Sequence, residues 1–81
     1  MKHTTKDIQA AIAKAFKKFN GAVMDMEFLC WSTFMRLDAK SSNYRRIEKR
    51  IKRIIRKNNK DPKGKYVILP GNDVRLRECK E

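Results

Sequence analysis

Residues 44–57 set isoleucine at 47, 51, 54 and 55 against Lys or Arg at 45, 46, 49, 50, 52, 53, 56 and 57. At about 100° per residue, Tyr44, Ile47, Ile51, Ile54 and Ile55 fall into one stripe. Arg45, Lys49, Lys52, Arg53 and Arg56 fall on the far side, with Arg46, Arg50 and Lys57 flanking. Such a pattern is that of a helix whose core can cover one side only. Any fold of this chain must keep the helix at its surface.

The charge of the chain is concentrated in the same place. The sequence has 81 residues, 21 of them Lys or Arg against 9 Asp or Glu, for a net of +12. Residues 40–60 hold ten basic residues and one acid, Glu48, and so carry +9 of that excess. Residues 1–39 carry +2 and residues 61–81 carry +1. A surface charged only for solubility mixes both signs, as the two outer pieces do. The middle segment points instead to a polyanionic partner, since phosphates would relieve its internal repulsion. Arginine at 45, 46, 50, 53 and 56 suits bidentate contact with phosphate or with a guanine edge.

The rest of the chain reads as support for that helix. A hydrophobic fraction of 41%, two prolines and three glycines describe one small folded domain. Thr4 with Asp7 is a capping signal, and Ile8, Ile12, Ala15, Phe16 and Phe19 mark one face of a first helix ending at Asn20-Gly21. Lys14, Lys17 and Lys18 form its solvated side. Residues 22–24 make a short extended segment, and Asp25 caps a second helix running from Met26 to about Leu37. Phe28, Trp31 and Met35 lie along one face of it, and Met26, Cys30, Phe34 and Leu37 along the opposite one. Two arrangements accommodate a helix apolar all round. Either its neighbours cover both faces, or Phe28, Trp31 and Met35 form a self-association surface, and hence a homodimer.

Residues 38–41 are a polar break, and Ser42 or Asn43 is placed to cap the third helix. Asn58-Asn59 and then Asp61-Pro62-Lys63-Gly64 end it in a turn. Tyr66-Val67-Ile68-Leu69 and Val74-Arg75-Leu76-Arg77 are strands of a β-hairpin around Pro70-Gly71-Asn72-Asp73. With Gly71-Asn72 as a two-residue loop, Leu69 would face Val74 and Val67 would face Leu76 on the core side. Tyr66 and Ile68 would then share the outer side with Arg75 and Arg77. Residues 78–81 are expected to fray. The fold class is α+β: a small three-helix domain with a short strand and a C-terminal hairpin.

Several function classes fit poorly. The N-terminus lacks the apolar run of a secretory signal, and no stretch approaches the roughly 20 apolar residues of a membrane span. The expected setting is cytoplasmic, at the nucleoid for a bacterial or phage protein. Cys30 and Cys79 could form one disulfide at most, and Cys30 sits among apolar neighbours, so both are expected as buried or idle thiols. The single histidine, His3, has no second ligand at usable spacing, so no metal site, no cofactor, no catalytic residue and no enzyme are expected.

Helix, short strand, helix, turn, basic amphipathic helix and hairpin, from Thr5 to about Arg77, is similar in layout to the winged helix-turn-helix family. That resemblance implies a third helix in the DNA major groove and a hairpin wing on the flanking backbone or minor groove. It would place Ser42, Asn43, Arg45, Arg46 and Lys49 at the groove. Lys52, Arg53 and Arg56 would continue the cationic face, and Arg53 and Arg56 with Lys63 and Lys65 would hold phosphates. Asn72 and Arg75 would be the wing contacts. The implied function is a small DNA-binding protein, a transcriptional regulator or an architectural or recombination accessory factor of a phage or mobile element, with double-stranded DNA as partner. RNA and an acidic protein or nucleic-acid-processing enzyme are the competing partners. A membrane surface comes last, because the isoleucines opposite the cations are needed by the core.

Overall fold

A computed structural model describes residues 3–77. The expected fraying of residues 78–81, and Cys79 with it, lies outside the described residues. The fold is α+β, with α1 (Thr5–Lys18), β1 (Met24–Asp25), α2 (Met26–Met35), a 3-10 turn (Ser41–Asn43), α3 (Tyr44–Lys60), β2 (Tyr66–Leu69) and β3 (Asp73–Leu76). The strands form one antiparallel sheet in the order β1-β3-β2.

Local chemistry sets the ends of α1. The Thr4 hydroxyl accepts from the Asp7 amide at 3.1 Å while the Asp7 carboxylate accepts from the Thr4 amide at 3.0 Å. Those bonds hold the Asp7 carboxyl below the usual carboxylate range. Their contribution is complete above the ordinary carboxylate pKa and is lost as pH falls through the lowered folded-state value. At the other end Asn20 and Gly21 take φ of 56° and 74°. The Gly21 amide reaches the Phe16 carbonyl at 2.8 Å and the Asn20 amide reaches that of Lys17 at 3.2 Å, the two bonds of a Schellman motif. Between these caps Ile8, Ala11, Ile12, Ala15 and Phe16 are buried.

The core lies where α1, α2, α3 and the sheet meet: Ile8, Ile12, Phe16, Met24, Met26, Leu29, Cys30, Ile47, Ile51, Ile55, Tyr66 and Val74 pack together. The Phe16 and Tyr66 rings stack at 5.1 Å, tying α1 to β2. Phe34 meets Tyr44 edge-on at 5.0 Å, tying α2 to the start of α3. Burial pushes the Cys30 thiol up to about 12, with Glu48 adding to the shift. The thiol is therefore protonated at neutral pH and a poor nucleophile.

Four expectations need correction. No side chain caps α3: Asn43 has φ −94° and ψ 1°, outside the extended conformation from which a cap residue reaches forward, and Ser42 lies within the 3-10 turn. The helix also runs past Asn58-Asn59 to Lys60. The two amides act as braces: Asn58 Nδ2 donates to the Ile54 carbonyl at 2.9 Å, Asn58 Oδ1 accepts from the Lys65 amide at 2.8 Å, and Asn59 Oδ1 accepts from the Ile68 amide at 3.0 Å.

The hairpin register is one residue away from that expected. Leu69 pairs with Asp73, Ile68 with Val74, Val67 with Arg75 and Tyr66 with Leu76. The loop is therefore Pro70-Gly71-Asn72, in which the Asn72 amide closes on the Leu69 carbonyl at 3.1 Å and Gly71 and Asn72 have φ of 85° and 65°. Because side chains alternate, a slip of one residue exchanges the two faces of β2 and leaves those of β3 as expected. Tyr66 and Val74 are buried and Ile68 is half-buried against the core, while Val67, Leu69 and Arg75 share the other side. Finally, the neighbours do not cover both faces of α2: Phe28, Trp31 and Met35 remain 41, 53 and 59% exposed.

Arg77 joins the hairpin to the end of α3. Its Nε donates to the Gly64 carbonyl at 2.6 Å, and its Nη2 reaches the carbonyls of Asn58, Asn59 and Asp61 at 3.2, 3.3 and 2.9 Å. A planar, charged donor at the negative end of the helix satisfies carbonyls that have no partner within it. Arg77→Ala should therefore cost about 2 kcal/mol in urea unfolding, the range for hydrogen bonds to a charged group, and Arg77→Lys should restore little of it. In a Cys79→Ser background, Cys30 should resist thiol reagents at neutral pH until urea crosses the unfolding transition.

Candidate nucleic-acid interface

Burial of Ile47, Ile51 and Ile55 turns the opposite side of α3 outward. Arg45, Arg46, Lys49, Arg53, Arg56, Lys57 and Lys60 are all exposed. Lys49, Lys52, Arg53, Arg56, Lys57 and Lys60 line one shallow open groove. Their i, i+3, i+4 spacing makes the cations neighbours along a single stripe, which from Arg45 to Lys60 spans roughly 22 Å at 1.5 Å per residue. Glu48, the one acid of the helix, stands at the edge of that stripe beside Lys52.

Two cations of the helix are committed inward. Arg50 donates to the His3 carbonyl at 2.6 Å and to the Thr5 hydroxyl at 3.5 Å, pinning α3 to the start of α1. Lys52 is half-buried, 3.3 Å from a Glu27 carboxylate oxygen at the start of α2 and 3.9 Å from Glu48 on its own helix. Among the described residues, the other α3 cations have no carboxylate within ion-pair distance.

The expected site residues fall into separate groups. Ser42, Asn43, Arg45 and Arg46 mark the N-terminal end of α3, with Ser42 exposed and Asn43 half-buried. Lys49, Arg53 and Arg56 form the middle, with Lys52 at its edge. Lys63 and Lys65 are exposed just beyond the C-terminal end, where the Lys63 and Lys65 amides are held by Asp61 Oδ1 and Asn58 Oδ1 at 2.9 and 2.8 Å. The middle group continues the N-terminal cations along α3, whereas Lys65 borders a different hollow, with Phe16, Lys17 and Asn20 at the end of α1.

The hairpin tip is tied to the start of α2. The Asn72 carbonyl accepts from the Met26 amide at 3.0 Å, so Asn72 sits beside α2, one residue from the Glu27 that holds Lys52. Arg75 is half-buried and its guanidinium donates to the Leu76 carbonyl at 2.9 Å, lying along its own strand. Lys60 was missed as a site residue, although Arg56 and Lys60 continue the same four-residue spacing. Lys57, read only as flanking, lines the groove as well.

No family model, curated protein or solved structure matches this chain. The likeness to a winged helix is one of layout: three helices followed by a C-terminal antiparallel hairpin, with a short strand after the first helix completing the sheet. Among the described residues no group of three or more His, Cys, Asp or Glu side chains converges as metal ligands. No helix among them is long and apolar enough to cross a membrane.

Glu27 is the one α2 carboxylate held at the edge of the stripe, 64% exposed at its side chain. Glu27→Gln should release Lys52 and remove a local negative charge. Elution from a heparin column should then move to higher salt, with the fold unchanged by circular dichroism.

Proposed function

We propose that this protein is a small duplex-DNA-binding factor, regulatory or architectural, that lays the outward face of α3 along the major groove. The observation that carries the reading is the cationic stripe from Arg45 to Lys60, with acids only at its Lys52 edge and buried isoleucine behind it. An α-helix is narrow enough for the major groove, and a straight cationic row can meet phosphates along its whole length. Lys63 and Lys65, exposed beyond the end of α3, would add contacts to flanking backbone away from the stripe. Ser42 and Asn43 offer neutral groups for base edges at the other end.

Duplex is favoured over single-stranded nucleic acid by where the aromatics lie. Unpaired bases are held by exposed rings interleaved with cations. Here Tyr44 is half-buried on Phe34 and Tyr66 is buried on Phe16. The exposed rings of Phe28 and Trp31 belong to α2.

Fluorescence anisotropy with random duplex, single strand and an RNA hairpin at two salt concentrations tests the reading. With about five phosphates neutralised, log K for duplex should fall against log salt with a slope near −4.5. Absence of duplex binding at low salt would sink the reading. Arg56→Ala should weaken all duplexes alike and lower the slope by about 1, whereas Arg45→Ala and Lys49→Ala should alter the ranking of sequences. A change of ranking from Arg56→Ala would reverse the division between backbone and groove contacts.

A further inference from the structure

We propose that the outer face of α2 binds a second copy of this chain, the two α2 helices lying antiparallel across a twofold axis near Trp31. The inference is independent of the DNA reading, since none of the residues it uses belongs to the α3 stripe.

The face is apolar and continuous. Phe28, Trp31 and Met35 are 41, 53 and 59% exposed, and Val23 just before β1 is 52% exposed. Phe19 at the end of α1 meets Phe28 at 5.3 Å, and Phe28 meets Trp31 at 6.3 Å, so the rings form one patch. Half-exposed side chains of this size present roughly 400 Å² together. A standard interface takes about 800 Å² from each partner, with an apolar centre and a polar rim. The patch is thus of the size of such a centre. The full interface would occupy about an eighth of the 6226 Å² surface.

Charge selects a second copy. From Phe19 to Met35 the chain has no Lys or Arg, and its two charged residues are Asp25 and Glu27. Two molecules of net charge +12 repel each other over most of their surface, and least through this segment. The same carboxylates disfavour phosphate, so neither nucleic acid nor an anionic lipid surface suits the face.

Spacing selects a helix as the contacting element. Phe28, Trp31 and Met35 stand at i, i+3 and i+7, the seam of a packed helix pair. In an antiparallel pair centred beside Trp31, Phe28 meets Met35 of the second copy and each Met35 meets a Phe28. The two tryptophans lie next to the axis. This is a self-complementary contact of the kind a twofold requires, and it sets sulfur against aromatic edges.

Sedimentation of the full chain without nucleic acid, from about 1 to 200 µM at near-physiological salt, should show a monomer–dimer equilibrium with Kd on the order of 10 µM. Trp31 is the sole tryptophan, so its emission should shift to the blue over the same range. Trp31→Ala and Met35→Lys should each raise Kd at least tenfold. Met35 is the most exposed of the three, so its variant should keep the wild-type circular dichroism and urea midpoint. A monomer at every concentration, or a dimer indifferent to both variants, would overturn the proposal. Either result leaves duplex binding to be decided by its own titration, and loss of duplex binding would leave this dimer standing.

Discussion

Burial of the isoleucine row of α3 is the interaction on which the rest depends. Eleven pairs of like charge stand three or four residues apart along that helix, and at roughly 0.2–0.5 kcal/mol each they oppose its formation by about 2–5 kcal/mol. Ile47, Ile51 and Ile55 are buried, and full burial of such a side chain contributes about 1.5–3 kcal/mol. The row therefore offsets the repulsion, and it does so only while α1, α2 and the sheet remain packed beneath it. The helix has no independent claim to stability. Its cationic face is a property of the whole fold.

The remaining contacts hold the helix at three points along its length. Arg50 fastens its first half to the start of α1. Lys52 links its middle to the first turn of α2. Arg77, with Asn58 and Asn59, gathers its last turn into the hairpin. Gly64 makes that last junction sterically achievable: a Cβ there would stand 2.1 Å from the Asn58 carbonyl oxygen. Cationic and amide side chains, polar by composition, thus serve as the joints of the scaffold as well as its surface.

How much of this was legible in the sequence depended on the distance over which each feature is determined. The caps of α1 and the Asp25 cap of α2 are local, and the residues that form them announce them. The isoleucine and cation stripes follow from helical period alone. The hairpin register was misread because Pro70-Gly71-Asn72 accommodates a two- or three-residue loop, and the observed register is the one that turns Tyr66 onto Phe16 and Ile68 onto the core, both set by distant parts of the chain. Arg50 and Arg77 looked like members of a charged surface, because their carbonyl partners lie 47 and 13 to 19 residues away. Of the expected site, the α3 cations were readable from period. The inward commitment of Lys52 and the strand-bound Arg75 required the tertiary structure.

The brace from Asn59 to the Ile68 amide has a consequence for the molecule when its charge is neutralised. In the free protein, mutual repulsion among molecules of +12 keeps exposed strands from pairing with one another. High ionic strength screens that protection. The outer edge of β2 then still has an amide already occupied by the end of α3, and the edge at β1 is only two residues long. Short or covered edges are poor templates for further strands. Resistance to edge pairing is thus built into a side-chain cover on one edge and the shortness of the other, and does not rest on charge alone.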